Sequence, residues 1–298
     1  MTAATPARPA PSLDHVGFVG PDLARLVTAM RRLGFATTEP TMLMRTDPAT
    51  GAAVSLQQQS CHVVFGEGYV ELSAVMTADP AHHLGAYRAR GEGLHILALG
   101  SPDPDADWQR CTAAELPCSP PADAARRIDY GTRQGEAHFR WFMLQPQASP
   151  EGLLCLVRNE NPELVFQPEV ARHDNGAEAL CEVIVCATTP AATAERLTIA
   201  IGCDPLPIAG DADHGLRYPL RGGGALSLLS PAAMQARFGT DATAGLRPDR
   251  FAALQLRVRH RADCAALLTR NAVPFTRHGP ELIVPASVAC GAILAFRE

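Results

Sequence analysis

The feature that most constrains this chain is a strand followed at once by a helix. Residues 13–35, LDHVGFVGPDLARLVTAMRRLGF, show the unit first. Val16 and Phe18 alternate with His15, which is the two-residue period of a strand and puts the imidazole on the opposite face from these apolar side chains. Asp22 then suits the N-cap of a helix whose apolar residues fall on one stripe. The pattern therefore predicts strand, helix and stop in close succession.

This unit recurs three times and organises the whole chain. Similar stretches occupy 93–118, 180–205 and 251–275, and each of the four units is followed by short strand-like segments. The predicted repeat is βαβββ, present four times. Its fold class is α+β, with the modules paired into two half-open mixed β-barrels that carry helices on their convex faces.

The domain boundaries follow from this pairing. At 298 residues the chain is long for a single core, so two domains are expected. Residues 1–12 are rich in Pro and Ala and predict a disordered lead-in. We expect the first domain over 13–165, a linker over 166–179, and the second domain over 180–298.

Composition excludes several partner classes. A net charge of −5 with no basic cluster argues against nucleic acid. The sequence contains no run of eighteen apolar residues and no apolar signal core, which argues against a membrane span or a secreted protein. The nine cysteines are scattered without a CxxC pair, which favours a reducing compartment, the cytoplasm.

Three side chains stand out as candidate metal ligands. His15 in LDHV and His95 in GLHI occupy matching first strands, and Glu71 in GYVEL lies on the last strand of the first module. We predict that all three face one concave sheet surface. Two imidazoles and one carboxylate from non-adjacent strands suit a divalent metal with open positions.

These segments resemble the vicinal oxygen chelate superfamily, and within it the glyoxalase-like proteins, over most of the chain after residue 12. The resemblance implies that His15, Glu71 and His95 hold a divalent ion, either Zn, Mn, Ni, Co or Fe. The ion would activate a small carbonyl-bearing or vicinal-oxygen substrate, in an isomerase or lyase type of reaction. The fourth ligand of the superfamily should lie at Cys155 or Leu156, and neither is a carboxylate.

The second half is poorer in ligand-type residues. The matching positions there are Glu182, Gln255, Ser227 or a neighbour, and Ala295. We interpret residues 180–298 as a degenerate, metal-free copy that supports the first barrel or closes its mouth.

Other polar residues are candidates for binding and proton transfer. His138 and Arg140 share one face of a predicted strand, where they either contact an anionic or carbonyl-bearing substrate or form a surface pair. His138 and Glu160 are the candidate acid–base residues. Arg140, His62 and Arg158 are the candidate substrate-binding residues.

Three functions stay open at this point. The favoured one is a metal-dependent glyoxalase-like enzyme. A non-catalytic protein that sequesters a small molecule is the alternative, and an Fe(II) extradiol-type dioxygenase is the third. The expected partner is a small molecule, and a homodimer stays open.

Overall fold

A computed structural model of the chain describes residues 9–47, 49–208 and 211–298. Of the predicted lead-in, residues 1–8 lie outside the described residues, and Ser12 already begins a strand. The first half contains these elements: β1 Ser12–Gly20, α1 Leu23–Arg32, β2 Thr41–Thr46, β3 Ala53–Val64, β4 Tyr69–Val75, α2 Gly85–Arg88, β5 Gly93–Gly100, α3 Pro104–Ala113, β6 Ala122–Ile128, β7 Gly135–Met143, β8 Leu153–Asn159 and α4 Pro162–Val165.

The second half repeats the alternation with shorter outer strands. It contains these elements: β9 Ala177–Cys186, α5 Pro190–Ile201, β10 Leu206–Ile208, β11 Asp211–Pro219, β12 Ala225–Leu229, α6 Pro231–Phe238, α7 Thr240–Thr243, β13 Arg250–Val258, α8 Arg261–Arg270, β14 Thr276–His278, β15 Glu281–Val284 and β16 Ile293–Arg297.

Local chemistry sets where the helices begin. Asp22 Oδ1 accepts hydrogen bonds from the backbone N–H groups of Ala24 at 2.9 Å and Arg25 at 3.4 Å, which satisfies donors that α1 leaves free. Asp103 caps α3 in the same way through the N–H of Ala106, at 3.1 Å. The two caps therefore mark equivalent positions in the first two strand–helix units.

The two halves form two eight-stranded mixed sheets, and the α+β fold class is confirmed. The first sheet is a closed barrel in the order β1-β4-β3-β2-β6-β7-β8-β5, where the sequence predicted a half-open one. The seam that closes it pairs Met44 with Ala125 and Arg45 with Ala124, between β2 and β6. Both strands have at least six residues, which is enough length to reach each other.

The second sheet stays open, in the order β10-β11-β12-β9-β13-β16-β15-β14. Its edge strands β10 and β14 have three residues each and do not meet. Helix α6 lies over the concave face instead, where Met234 and Phe238 pack among Ile184, Ile283 and Ala295. The second half therefore fills with its own side chains the space that the first half leaves hollow.

The halves pack through helices and the connecting segment. Arg32 Nε donates to Asn271 O at 3.1 Å, and Arg110 Nε donates to Ile199 O at 3.0 Å. His173, in the connection, donates from Nε2 to Val64 O at 3.0 Å and accepts the Ala36 N–H at Nδ1. None of the helices in the described residues is long and apolar enough to cross a membrane.

Candidate functional site

The interior of the closed barrel contains a cavity of about 640 Å³, including its opening to solvent. Most of its wall is apolar, and a few polar side chains converge on it, which is the usual composition of a small-molecule site. Its lining residues are His15, Leu43, Gln58, Ser60, His62, Tyr69, Glu71, His83, Ile96, Ala124, Arg126, Phe139, Trp141, Leu153, Cys155 and Val157.

His15 is held in one orientation by its sequence neighbour. Its Nδ1 lies 2.7 Å from Asp14 Oδ1, while Asp14 Oδ2 accepts a hydrogen bond from Asn159 Nδ2 at 2.8 Å. Because a carboxylate only accepts, Nδ1 carries the proton and Nε2 is left free to accept one. The imidazole also stacks on the Tyr69 ring, with centroids 4.3 Å apart and planes 10° from parallel.

Glu71 is buried opposite His15 and is oriented by two donors. Its Oε1 accepts hydrogen bonds from Gln58 Nε2, at 2.6 Å, and from Ser73 Oγ. Its Oε2 lies 3.9 Å from His15 Nε2, too far for a direct hydrogen bond. A group bound between or beside these two atoms can therefore contact both.

The structure does not place His95 in this cavity, which corrects the predicted three-ligand set. His95 Nε2 contacts Gly91 O at 2.8 Å, and Ile96, the next residue, lines the cavity instead. Successive side chains of a strand point to opposite faces, so a one-residue error in alignment moves a side chain to the other side of the sheet. His15 precedes Asp22 by seven residues, and Ile96 precedes Asp103 by seven.

Strand pairing identifies the fourth position as well. Glu71 is paired with Gly17 across β1 and β4, and Cys155 is paired with Ala98 across β5 and β8. Of the two residues that the sequence left open for this position, Cys155 lines the cavity and Leu156 does not. Burial raises the pKa of the Cys155 thiol well above its usual range, so the group is a neutral thiol.

The donor set does not fit a tightly held divalent metal. Of the four equivalent positions, two carry His15 and Glu71, one carries Ile96, and one carries the Cys155 thiol. Across the described residues, no group of three His, Cys, Asp or Glu side chains is arranged to hold an ion. A catalytic metal usually has three protein ligands that converge on one point, and although His62 and His83 also line the cavity, no such group of three is present among the described residues.

Of the other predicted residues, only His62 reaches the cavity. It is 3% exposed, and burial lowers its pKa well below the usual value, which keeps the imidazole neutral. His138 and Arg140 do share a face of β7, but it is the outer one. His138 is 3.4 Å from Glu136, and Arg140 is paired with Asp105 at 2.7 Å.

The remaining predicted pair also lies outside the cavity. Arg158 Nη2 donates to Glu160 Oε1 at 2.7 Å, and about two fifths of each side chain is exposed (41% and 42%). Both residues follow the buried part of β8, where the strand leaves the barrel. The pairing of β8 with its neighbours contains no bulge that would turn Glu160 toward the cavity, so this candidate acid–base residue lies outside it.

Sequence reasoning missed Arg126, which lines the same cavity from β6. The side chain is 3% exposed, and both terminal guanidinium nitrogens lack a hydrogen-bond partner among the described residues. Its Cζ lies 5.2 Å from the centroid of the Tyr69 ring. The stretch ADAARRI contains two adjacent arginines, and alternation along β6 is the signal that separates the buried one from the exposed Arg127.

Comparison with known proteins agrees with this architecture. The sequence profile of the glyoxalase-like domain family matches residues 13–200, which is more than half of the chain. The chain belongs to the glyoxalase-like domain family. This confirms the superfamily that the sequence resembles, the vicinal oxygen chelate proteins. No curated protein matches the chain significantly in sequence.

Solved structures share the fold of this glyoxalase-like protein along nearly its whole length. A hypothetical protein from Staphylococcus aureus is 11% identical with a TM-score of 0.61, covering 96% of this chain and 98% of its own. A mutant 4-hydroxymandelate synthase from Streptomyces coelicolor is 14% identical with a TM-score of 0.59, covering 97% and 92%. A fusion of a xylose isomerase-like TIM barrel with 4-hydroxyphenylpyruvate dioxygenase is 14% identical with a TM-score of 0.56, covering 98% of this chain and 49% of that one.

The second half of this glyoxalase-like protein uses its matching positions structurally. Ser227 Oγ donates to Glu182 Oε1, and Arg237 Nη2 from α6 donates to Glu182 Oε2 at 2.7 Å. Gln255 donates to Glu281, which also accepts from Arg237. Each of the five side chains of this cluster is therefore paired with another of them.

Proposed function

We propose that the closed barrel binds a small organic molecule and exchanges protons with it through His15, which Glu71 assists by its charge. The observation that carries this proposal is the pair His15 Nε2 and Glu71 Oε2, 3.9 Å apart on side chains that line the cavity. Each is fixed from behind, His15 by Asp14 and Glu71 by Gln58 and Ser73. Groups held in this way are prepared for acid–base catalysis.

The roles of the two groups follow from their surroundings. His15 Nε2 accepts a proton from the bound molecule, and the Asp14 carboxylate stabilises the imidazolium that forms. Glu71, within 3.9 Å, adds a second negative charge next to the imidazolium. The proton then returns from Nε2 to a neighbouring atom of the same molecule or exchanges with water. A positioned acid–base group contributes about 10²–10⁴-fold in rate.

The reaction class that matches is proton transfer at a carbon next to a carbonyl. This keeps the isomerase or lyase type expected from the resemblance, but it takes no step through a metal. The predicted Fe(II) dioxygenase requires two histidines and one carboxylate around the iron. His62 and His83 line the cavity beside His15 and Glu71, but among the described residues no three of these side chains are arranged to hold an ion, and the likeness to the 4-hydroxyphenylpyruvate dioxygenase fusion is one of fold.

Deuterium wash-in tests this proposal. Pyruvate, 2-oxobutyrate and hydroxyacetone are incubated in D₂O with protein treated with a chelator, and loss of the C–H signal is followed by proton NMR. We expect exchange by the wild type that falls about 100-fold or more in His15→Gln and Glu71→Gln. His138→Gln, on the outer face of the barrel, is the matched control and keeps the wild-type rate.

Two results would contradict the proposal. One is a His15→Gln variant that exchanges protons as fast as the wild type. The other is exchange that disappears with the chelator and returns only with an added divalent metal.

Sequestration without chemistry is the second candidate, and the apolar wall of a closed barrel favours it. Ile96, Phe139 and Trp141 offer surface that holds a ligand without reacting with it. The same NMR samples separate the two functions. Probe signals that broaden on binding, with no deuterium incorporation from any probe, would support sequestration over acid–base chemistry.

A further inference from the structure

We infer that the ligand of this cavity carries a carboxylate, which the Arg126 guanidinium binds. This deepens the proposed function and rests on it only in sharing the same cavity. The side chain of Arg126 is 3% exposed, it lines the cavity, and neither of its terminal nitrogens has a hydrogen-bond partner in the described part of the chain. An arginine is always protonated, and no ion pair between Arg126 and an acidic side chain is present among the described residues.

Such a charge is costly unless an anion compensates it. Buried charges in proteins are paired or hydrogen-bonded, because removing an ion from water costs several kcal/mol. Arg126 has aromatic neighbours in place of acids: its Cζ lies 5.2 Å from the Tyr69 centroid and 5.9 Å from the Phe139 centroid. Aromatic faces recover only a part of the lost hydration.

The second half of the chain contains a buried arginine whose positive charge is compensated by carboxylates. Arg237 also reaches into the concave face of its sheet, and its Nη2 is 2.7 Å from Glu182 and 3.3 Å from Glu281. The protein therefore supplies two carboxylates to the buried guanidinium of one half and leaves the guanidinium of the other half open toward a cavity. The missing anion has to come from solution.

A second side chain of the cavity wall, Trp141, also presents an unpaired hydrogen-bond donor to a ligand. Trp141 Nε1 lines the cavity and also lacks a partner among the described residues. With the two terminal nitrogens of Arg126 it makes three buried nitrogen atoms that can only donate. The planar fork of a guanidinium matches the two oxygens of a carboxylate. The apolar body of the ligand would then lie against Ile96 and Phe139.

Arg126 and His15 share a neighbour in the cavity, so one ligand can contact both residues. Tyr69 contacts both, stacking on His15 at 4.3 Å and lying under the Arg126 guanidinium at 5.2 Å. One small molecule can therefore span both groups, with its carboxylate at Arg126 and its reacting carbon at His15. This geometry favours a short 2-oxo or 3-oxo acid over an uncharged ketone.

Matched pairs of charged and uncharged probes test this inference. Binding of isobutyrate and isobutyramide, and of benzoate and benzamide, is measured by isothermal titration to the wild type, Arg126→Met and Arg127→Met. We expect each carboxylate to bind the wild type at least tenfold more tightly than its amide. Arg126→Met should lose that preference, and Arg127→Met, altered at the exposed neighbour on the same strand, should keep it.

Stability gives a second readout that needs no ligand. Replacing an uncompensated buried charge with an apolar side chain of similar length should raise the urea midpoint of the free protein or leave it unchanged. The inference is overturned if Arg126→Met keeps the preference for carboxylates, or if the amides bind the wild type as well as the acids. It is also overturned if Arg126→Met lowers the urea midpoint, because Arg126 would then serve the fold.

This experiment is independent of proton exchange. Carboxylate binding that depends on Arg126, together with no deuterium wash-in, would contradict the proposed chemistry and leave the inference standing. Wash-in that is the same in Arg126→Met and the wild type would instead contradict the inference and leave the proposed chemistry standing.

Discussion

The two halves of this molecule have the same strand order, but one surrounds a cavity and the other does not. The first closes its sheet and keeps a hollow interior, with His15 and Glu71 facing each other across 3.9 Å. The second stays open and covers its concave face with α6, whose Arg237 neutralises Glu182 and Glu281. Polar residues on a concave sheet face therefore become a site only where the chain does not itself supply their hydrogen-bond and ion-pair partners.

Single positions show how the difference arises. Gly17, which is paired with Glu71, has its counterpart in Ile184, which is paired with Ser227. A glycine on the inner face leaves space, and an isoleucine fills it.

Acidification should weaken the first half more than the second. Burial lowers the pKa of five histidines, His62, His82, His83, His95 and His173, and that of His83 falls to about 3. The unfolded chain binds protons at these imidazoles at a higher pH than the folded chain does, so stability is present at neutral pH and is lost as the pH falls. Each histidine that stays neutral costs about 1.4 kcal/mol per pH unit in that window.

Urea unfolding at pH 7.5 and 5.0, with hydrogen exchange followed by mass spectrometry, checks this prediction. Several kcal/mol should be lost, and protection should fall more in β3 and β5 than in β9 and β13. The raised pKa of the Glu151 carboxyl works in the opposite direction, since that group gains a proton more readily when folded. Equal unfolding free energies at the two pH values would contradict the expectation.

Breaking the ion cluster of the second half should cost about 3 kcal/mol of unfolding free energy. In Arg237→Met, Glu182 and Glu281 stay buried without their shared counter-charge. Arg217→Met is the control, because that side chain is half exposed (51%) and lies 3.9 Å from Glu182, so its loss should change the stability by less than about 1 kcal/mol. Equal losses in both variants would show that the buried cluster is not special.

Filling the cavity of the first half with an added methyl group should weaken ligand binding and moderately destabilise the protein. A Cβ built at Gly17 would lie 2.6 Å from Ile96 Cδ1, so Gly17→Ala pushes Ile96 toward the cavity. Overpacking of this kind costs about 1–3 kcal/mol, and isobutyrate should bind several-fold more weakly. Gly66→Ala is the control, since its Cβ meets nothing within 4 Å in the part of the chain that is described. Unchanged binding in Gly17→Ala would place the ligand elsewhere.

Replacing Cys155 with alanine, the residue at the equivalent position of the second half, should have the smallest effect. Ala295 occupies the equivalent position, paired with Gln255 as Cys155 is paired with Ala98. We expect Cys155→Ala to destabilise the protein by about 1 kcal/mol and to leave deuterium wash-in within twofold of the wild type. Loss of exchange together with loss of a bound metal would show instead that the thiol acts as a ligand.

Much of the scaffold was predictable because local signals mark it. The alternation around His15 and the cap at Asp22 marked the first strand and helix. A strand followed by a helix recurs in all four units, although the side chains at the N-caps of α5 and α8, Thr189 and His260, make no capping hydrogen bond. The superfamily followed from these segments. Closure of the first sheet was not predictable, since it depends on pairing between β2 and β6, which no local pattern encodes.

The site was only partly predictable. His15 and Glu71 were found because both lie on inward positions of strands with clear alternation. His95 was matched to His15 by residue type, whereas counting from the helix caps selects Ile96. Arg126 carries no motif, and its lack of a partner is visible only when the neighbouring strands are in place.

The most direct test of the central claim is the metal content of the purified protein, measured by elemental analysis for the wild type beside His95→Gln. We expect neither protein to retain a divalent metal at one ion per chain, because only His15 and Glu71 of the predicted ligand set line the cavity. One tightly bound ion per wild-type chain, lost when His95 is replaced, would contradict it.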